Sequence, residues 1–261
     1  MPRRERPETT QRSEHWLRMA VNEHSRALNS RINTLFKWDE DQIEWLSPVA
    51  ADEFAEYYDQ EFLNRLGVSN LKVPLTDFWP KSGPRWDGLA RTASGRLILV
   101  EAKAYIEEGV DYKSGAGPRS LERINAALSQ AKLAFAATDD APWENPFYQY
   151  ANRLAHLYFA RRLNGLDAYL LFIYFADAPD VPNPCTTQEW QGAVRLVEKS
   201  LGLGSHEFRN HVGTLIWSVD DMLRTFCGTL FAYSLAPLLN ELVVTKTPLD
   251  ELRSVNAPTN C

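Results

Sequence analysis

The sequence predicts an α/β protein with a central mixed β-sheet flanked by helices. Three observations favour this class. Helical patterns in the first part of the chain lead into a group of short strand-like segments. An apolar run over residues 167–176 has the length and composition of a strand buried on both faces. Helical and strand-like patterns then alternate to about residue 233, which is the order typical of α/β proteins.

The N-terminal part predicts two helices. Residues 14–36 carry apolar side chains at helical spacing, so we expect one helix there. Ser47 followed by Pro48 is typical of a helix start, and a second helix is expected over 52–66, ended by Gly67. Its apolar stripe, at a spacing of four, is Phe54, Tyr58, Phe62 and Leu66.

Three consecutive strands are predicted next. The first covers residues 71–79, and the second begins at Asp87. Residues 92–95 form a plausible hairpin turn in which Gly95 can adopt a positive φ. The third strand, residues 97–103, begins with a β-type apolar run and ends in charged residues. A hairpin of the last two strands would bring Asp87 beside Glu101.

The remaining elements follow from similar patterns. The glycine-containing segment 107–118 is expected to form a mobile loop over the sheet end, with Glu107 as a solvated carboxylate. Ser120 is predicted to cap the next helix. The further predicted elements are helices over 121–137, 146–162 and 187–201, a strand over 214–217, and a helix from Asp220 or Asp221 through Leu223 to about Tyr233.

Composition excludes several classes of protein. Hydrophobic residues make up 44% of the 261-residue chain, which is enough for a sizeable core. Three widely spaced cysteines form neither a disulfide framework nor a metal-ligand pattern, and this favours a reducing cytoplasm. The sequence contains no apolar run of membrane-spanning length and no hydrophobic segment of a secretory signal. A net charge of −6 argues against a sequence-blind nucleic-acid coat protein but not against a nuclease.

Charged residues converge at one end of the predicted hairpin. Side chains alternate faces along a strand, so Glu101 and Lys103 point the same way, while Ala102 between them leaves its carbonyl available. Asp87 would lie beside them. Two neighbouring carboxylates repel each other unless a cation separates them, and Mg²⁺ prefers one or two carboxylates plus water. The pattern therefore predicts a site for Mg²⁺, with Mn²⁺ as an alternative ion, whose ligands are Asp87, Glu101 and the Ala102 carbonyl.

The arrangement of Asp87, Glu101 and Lys103 resembles the signature of the PD-(D/E)XK phosphodiesterase superfamily, which includes restriction endonucleases and repair nucleases. Trp86 stands where the family has Pro. The resemblance covers roughly residues 50–175. It implies a restriction endonuclease-like fold with N- and C-terminal helical additions, and Mg²⁺-dependent hydrolysis of nucleic acid, DNA rather than RNA. It also implies that the acidic residues bind the metal ion and that Lys103 is catalytic.

Two further groups of residues are candidates for the site. In the superfamily, a helix before the hairpin often adds an acidic residue; Glu56 is the first candidate and Asp59 the second, although acidic residues early in a helix are usually only solvated. In the predicted helix 146–162, polar residues occupy one face. These residues are Gln149, Asn152, Arg153 and His156. Gln149, Asn152 and Arg153 are suited to phosphate contacts, whereas a lone His156 and a buried polar network are structural alternatives.

Alternative functions remain open from the sequence. The chain could be a catalytically inactive restriction endonuclease-like module that binds nucleic acid or a protein partner. Glu101 and Lys103 could also be a surface pair on an unrelated α/β scaffold. We expect a disordered arm over residues 1–13, one domain over 14–250 and a flexible tail over 251–261. The oligomeric state is open, a homodimer included.

Overall fold

A computed structural model describes residues 3–4, 11–110 and 114–224 of the chain. The chain divides into two units, Met1–Met222 and Leu223–Cys261, and the fold and the site both belong to the first. Within the described ranges, no helix is both long and apolar enough to cross a membrane.

Up to residue 218, the described residues of the first unit form seven strands and seven α-helices. In chain order they are β1 (Arg3–Arg4), α1 (Arg12–Asn22), α2 (Ser25–Phe36), β2 (Ile43–Ser47), β3 (Glu56–Tyr57), α3 (Asp59–Arg65), α4 (Leu75–Phe78), β4 (Gly88–Thr92), β5 (Leu97–Lys103), α5 (Pro118–Ala134), α6 (Tyr148–Tyr158), β6 (Ala168–Ala176), α7 (Thr187–Ser200) and β7 (Val212–Ser218). Short 3₁₀ turns connect several of them, and α6 continues as a π-turn over Phe159–Leu163.

The predicted fold class is confirmed. Five strands form a mixed sheet in the order β2-β4-β5-β6-β7. β2, β4 and β5 are antiparallel neighbours, whereas β5, β6 and β7 run parallel. All nine residues of β6 are buried, as its continuous apolar sequence predicts for a central parallel strand. A separate two-stranded sheet pairs β1 with β3.

Apolar clusters cover both faces of the large sheet. On one face, α1 and α2 pack against Ile98, Val100 and Ala102 of β5. On the other face, α3, α5, α6 and α7 pack against Leu97, Leu99 and the even-numbered residues of β6. The strict alternation along β5 means that Glu101 and Lys103 continue the second face, under α6. The helices therefore bury the sheet and leave the charged end of β5 on the α6 side.

The hairpin that carries the candidate site is also confirmed. β4 and β5 pair with Gly88 opposite Val100 and Arg91 opposite Leu97. Gly95 has φ +91°, a value that favours glycine, and its N–H donates to the Thr92 carbonyl to close the turn.

Three predictions for the N-terminal part are wrong. The helix expected over 14–36 is divided into α1 and α2, with residues 23 and 24 between them. Ser47 does not begin a helix; it ends β2, a strand that the sequence pattern did not reveal, and its hydroxyl donates to the Ala55 carbonyl at 2.7 Å. The helix expected over 52–66 is reduced to α3.

The cause of that shortening lies in the backbone. Glu53 and Phe54 have φ near +50°, a conformation that the interior of a right-handed helix does not include, and Asp59, the first residue of α3, has the same φ. The chain therefore forms a 3₁₀ turn at Ala50–Asp52 and the short strand β3 before α3 begins.

The strand predicted over residues 71–79 is wrong as well. Pro74 precedes a single helical turn, α4, in which Leu75 and Phe78 are buried at a spacing of three. Pro cannot donate to a sheet ladder but is well tolerated at a helix start. The apolar residues here thus follow a helical period over one turn only.

The other elements lie close to their predicted positions. α5 begins at Pro118, with Gly117 rather than Ser120 at its N-cap. Thr186 caps α7 together with Glu189, which reaches back to the Thr186 N–H. The helical residues after β7 begin at 219, so Asp220 and Asp221 lie inside that helix rather than before it. Its predicted continuation beyond residue 224 and the predicted tail lie outside the described residues, as does most of the predicted N-terminal arm, although α1 includes Arg12 and Ser13.

Candidate active site

The hairpin register places Asp87 next to the charged end of β5. Because Gly88 pairs with Val100, Asp87 is the residue that continues β4 toward Glu101. Its Oδ2 accepts a hydrogen bond from the Ala102 N–H at 2.8 Å. A side chain at position 88 would approach Val100 Cβ to 3.2 Å and the Ser47 carbonyl to 3.4 Å. Glycine after Asp87 therefore lets β2, β4 and β5 approach closely at the point where the carboxylate leaves the sheet.

The end of β5 presents three kinds of polar group. Lys103 Nζ binds Oε1 of Glu101 at 2.5 Å, as expected for side chains that share one face of a strand. The side chain of Ala102 is buried on the opposite face of the sheet, in the apolar cluster that includes α1 and α2. The Ala102 N–H and carbonyl point to the same edge of the strand, so the carbonyl also lies on the Asp87 side. This arrangement brings together the two carboxylates, the ammonium and the carbonyl that the sequence predicts for one site.

Helix α6 contributes Arg153 to the same site. Its Nε donates to Glu101 Oε2 at 2.6 Å and its Nη2 lies 2.5 Å from the same oxygen. Nη2 also donates to the Arg85 carbonyl at 2.8 Å, and the guanidinium lies 4.9 Å from the centre of the Trp86 ring. Only 4% of the Glu101 side chain and 6% of the Arg153 side chain are exposed. Arg153 thus binds a carboxylate inside the protein rather than standing on a solvent face.

Glu56 reaches the site from β3, not from the predicted helix. The strand lies beside the residue that precedes Asp87, because the Trp86 N–H donates to the Tyr57 carbonyl at 3.1 Å. Glu56 is buried there, and its negative charge is felt by Asp87. Proline at position 86 would lack the N–H of this bridge, so Trp86, the departure from the signature that the sequence resembles, serves to hold β3 beside the hairpin.

The charged groups line a common cleft of about 400 Å³. We call it the carboxylate cleft, and its charged and amide side chains include Glu56, Asp87, Glu101, Lys103, Gln149 and Arg153. Tyr58 and Arg85 also line it, and the Arg85 guanidinium lies 5.4 Å from the centre of the Tyr58 ring. Arg85 is exposed, and no described carboxylate forms an ion pair with it. An exposed cation therefore stands at the mouth of a cleft whose interior is acidic.

The two carboxylates of the hairpin have opposite electrostatic environments. Burial raises the pKa of Asp87 to about 8, and the negative charge of Glu101 contributes to the rise. Burial acts in the same direction on Glu101, but the charges of Arg153 and Lys103 outweigh it and hold the pKa of Glu101 below its ordinary value. Burial would lower the pKa of Lys103, yet Glu101 and Asp87 raise it. Lys103 is consequently an ammonium ion at neutral pH.

The residues present fit a divalent cation with few protein ligands. Glu56, Asp87 and Glu101 place three carboxyl groups against the two cations Lys103 and Arg153; the raised pKa of Asp87 means that a proton relieves the repulsion at neutral pH, and a divalent cation could take the place of that proton. Carboxylate and carbonyl oxygens are the donors that Mg²⁺ prefers, and the ion needs only one or two carboxylates because it retains water. In the described part of the chain, no three His, Cys, Asp or Glu side chains are grouped to enclose a metal ion, so Glu56, Asp87 and Glu101 do not form a preassembled three-carboxylate ligand set.

Several candidates lie away from the carboxylate cleft. Asp59 accepts hydrogen bonds from the backbone of Ser82 and Gly83, at 3.1 and 2.9 Å, and so fixes a loop instead of joining the acidic group. Asn152 is buried and does not line the cleft, and its backbone carbonyl is the partner of His156 Nδ1. Glu107 is exposed, as expected for a solvated carboxylate. Gln149 does line the cleft and is half-buried.

Sequence reasoning missed two features of the site. It did not single out Arg85, although a basic residue two positions before Asp87 was a usable signal. It also predicted that Arg153 contacts nucleic acid, because the sequence pattern of a polar helix face is the same whether that face meets solvent or a buried carboxylate. Comparison of the chain with protein-family models, with curated proteins and with solved structures gave no match.

Proposed function

We propose that the chain is a divalent-metal-dependent phosphodiesterase of the restriction endonuclease-like, PD-(D/E)XK type, and that it hydrolyses nucleic acid, DNA rather than RNA. The observation that carries the proposal is the carboxylate cleft, in which Asp87, Glu101 and Lys103 meet at the end of one hairpin. The mixed sheet with helices on both faces is compatible with such a fold. The cofactor would be Mg²⁺ or Mn²⁺.

The proposed roles follow from the charges and contacts. Asp87, Glu101 and the Ala102 carbonyl, with Glu56 nearby, would hold the ion, which when bound supplies a polarised phosphate and an acidified water. Lys103, as an ammonium, stabilises the negative charge that builds on the phosphate during attack. Arg153 holds Glu101 in its position from the helix side. Arg85 and Gln149 line the cleft where the strand's phosphates would lie and can contact them.

A second function is favoured by one observation. Both carboxylate oxygens of Glu101 already have cationic partners, Lys103 on Oε1 and Arg153 on Oε2. A chain in which these contacts persist would bind nucleic acid without cutting it. This second candidate is the catalytically inactive restriction endonuclease-like module.

Two measurements decide between the candidates. Calorimetric titration of Mg²⁺ or Mn²⁺ into the wild type and Asp87→Asn tests the metal site, since the amide keeps the shape of the side chain but removes its charge. We expect binding by the wild type only. Relaxation of supercoiled plasmid with Mg²⁺, and its suppression by EDTA, then tests cleavage. A chain that binds the ion but leaves the plasmid supercoiled would favour the inactive module; a chain that does not bind the ion would refute the metal site.

A further inference from the structure

A second cavity lies directly beside the carboxylate cleft. Its volume is about 280 Å³, and we call it the aromatic cavity. Phe62, Leu75 and Trp79 provide its apolar lining, and His156 belongs to its wall. The cavity shares Gly83 and Pro84 with the carboxylate cleft, so these two residues form the boundary between the two spaces. A ligand that occupies both spaces would pass over this boundary.

The wall of the aromatic cavity contains a buried hydrogen-bond acceptor. His156 is 1% exposed, and its Nδ1 lies 2.9 Å from the Asn152 carbonyl. A carbonyl can only accept, so Nδ1 carries the proton and Nε2 carries the lone pair. Nε2 is buried and has no hydrogen-bond partner among the described residues. Burial of an acceptor without a partner is unfavourable, and a ligand with an N–H group would remove that penalty once the side chains that cover Nε2 move aside.

The rings around His156 define the shape of such a ligand. Trp79 lies 4.7 Å from the imidazole between ring centres, and Phe62, Phe78 and Trp86 lie at 6.1–6.4 Å; of these four rings, those of Trp79 and Phe62 line the cavity. Aromatic walls favour a flat, apolar-faced ligand. The space is larger than the cavity of roughly 150 Å³ that accepts benzene in an engineered protein. A planar heterocycle with an N–H donor therefore matches both the walls and the acceptor, and nucleobases have this chemistry.

We propose that the aromatic cavity receives one unpaired base of the nucleic-acid strand whose phosphate lies in the carboxylate cleft. The proposal rests on the proposed function and specifies its substrate as single-stranded, or as a duplex from which one base is extruded. A base enclosed between Trp79 and Phe62, with an N–H donated to His156 Nε2, cannot pair with a second strand at the same time. The Gly83–Pro84 boundary separates the base from its phosphate.

Binding of three labelled probes tests the proposal without cleavage. The probes are a fluorescein-labelled 12-nucleotide single strand, the same strand in a blunt duplex, and a 12-residue abasic strand, each titrated by anisotropy with Ca²⁺ in place of Mg²⁺. Since stacking of a base on aromatic side chains is worth ~1–3 kcal/mol, the single strand should bind about tenfold more tightly than either other probe. Equal affinity for the abasic strand or for the duplex, or no binding of the single strand, would overturn the proposal.

Two substitutions localise the effect. Thr76 is exposed on α4 and lines the cavity, so Thr76→Trp would fill the space from its rim; Thr34→Trp, at an exposed position of α2, is the matched control. We expect Thr76→Trp to lose about tenfold in affinity for the single strand and nothing for the abasic strand, and the control to lose neither. His156→Phe keeps a ring but removes the acceptor and should weaken single-strand binding several-fold, with circular dichroism to check the fold.

The outcomes separate this proposal from the proposed function. If the base-dependent binding is found but no strand is cut with Mg²⁺, the aromatic cavity stands and the nuclease proposal fails. If strands are cut but Thr76→Trp and the abasic probe behave like the wild type and the natural strand, the cavity proposal fails and the nuclease proposal stands.

Discussion

Arg153 and Glu101 form a buried ion pair that joins helix α6 to the central strand β5. Two guanidinium nitrogens lie 2.5–2.6 Å from one carboxylate oxygen, and the other oxygen is bound by Lys103. The pair lines the carboxylate cleft and holds Glu101, one of the two proposed carboxylate ligands, in its ionised form. The negative charge of Glu101 also raises the pKa values of its neighbours Asp87 and Lys103.

Loss of Arg153 should destabilise the fold strongly. Arg153→Met leaves Glu101 buried with a single cation, and removal of one partner of a buried pair costs about 3–5 kcal/mol. Urea unfolding monitored by tryptophan fluorescence measures the change. Arg161→Ala is the control, because its pair with Asp167 is much more exposed, with 53% of the Asp167 side chain accessible, and should cost less than about 1 kcal/mol. Equal costs for the two variants would contradict the structural role given to Arg153.

Ionised Asp87 should destabilise the fold when no cation is bound and should stabilise the protein by binding a cation when one is present. Its pKa of about 8 means that at pH 9 the carboxylate is charged beside Glu101. In EDTA at pH 9, Asp87→Asn is therefore expected to raise Tm, by about 3 °C if the amide recovers ~1 kcal/mol. Mg²⁺ should raise the Tm of the wild type and leave that of Asp87→Asn unchanged. A Mg²⁺-induced rise of the same size in both would exclude Asp87 as a ligand.

His156 should make stability depend on pH in acid. Burial, only partly offset by its hydrogen bond to Asn152, lowers the pKa of His156 to about 3, compared with about 6.5 in the unfolded chain. Between these values the unfolded chain binds the proton and the folded chain does not, so stability falls as pH decreases from 6.5 to 3. Between pH 7 and 5 this group contributes a loss of about 2 kcal/mol. Denaturant midpoints at the two pH values should move less in His156→Gln; an equal movement would show that His156 is protonated in the folded protein.

Arg85 should contribute to nucleic-acid binding through phosphate. It is exposed at the mouth of the cleft, so Arg85→Ala should weaken binding of all sequences alike. The slope of log affinity against log salt should fall in magnitude by about 0.7–0.9, the value for one lost phosphate contact. Arg195→Ala, at an exposed position of α7, is the control. An unchanged slope in Arg85→Ala would remove Arg85 from the interface.

The hairpin was predictable because its signals are local. Gly95 closes the turn, the run from Leu97 to Val100 fills the sheet, and alternation fixes the face of Glu101 and Lys103. The position of Asp87 follows from the register of the hairpin alone. Burial of β6 was predictable for a similar reason, since nine consecutive apolar or aromatic residues leave no polar face.

The surroundings of the hairpin depend on long-range contacts that no local pattern encodes. Glu56 enters the cleft because Tyr57 bridges to Trp86 and because Glu53, Phe54 and Asp59 adopt left-handed backbone conformations without being glycine. The helix predicted there had a regular apolar stripe, but tertiary packing prevailed over it. Whether the polar face of α6 meets water or Glu101 likewise depends on how the helix packs on the sheet.

Plasmid nicking with Mg²⁺ tests the proposed active site most directly. The rate of Lys103→Ala is compared with that of Lys199→Ala, in which an exposed lysine of α7 is removed. Lys103 is the ammonium beside Glu101 and Asp87, and loss of such a stabilising charge typically lowers the rate by about 10²–10³-fold. We predict a loss of that size for Lys103→Ala, with an unchanged circular dichroism spectrum, and the wild-type rate for Lys199→Ala. Cleavage by Lys103→Ala at the wild-type rate would contradict the assignment of the site.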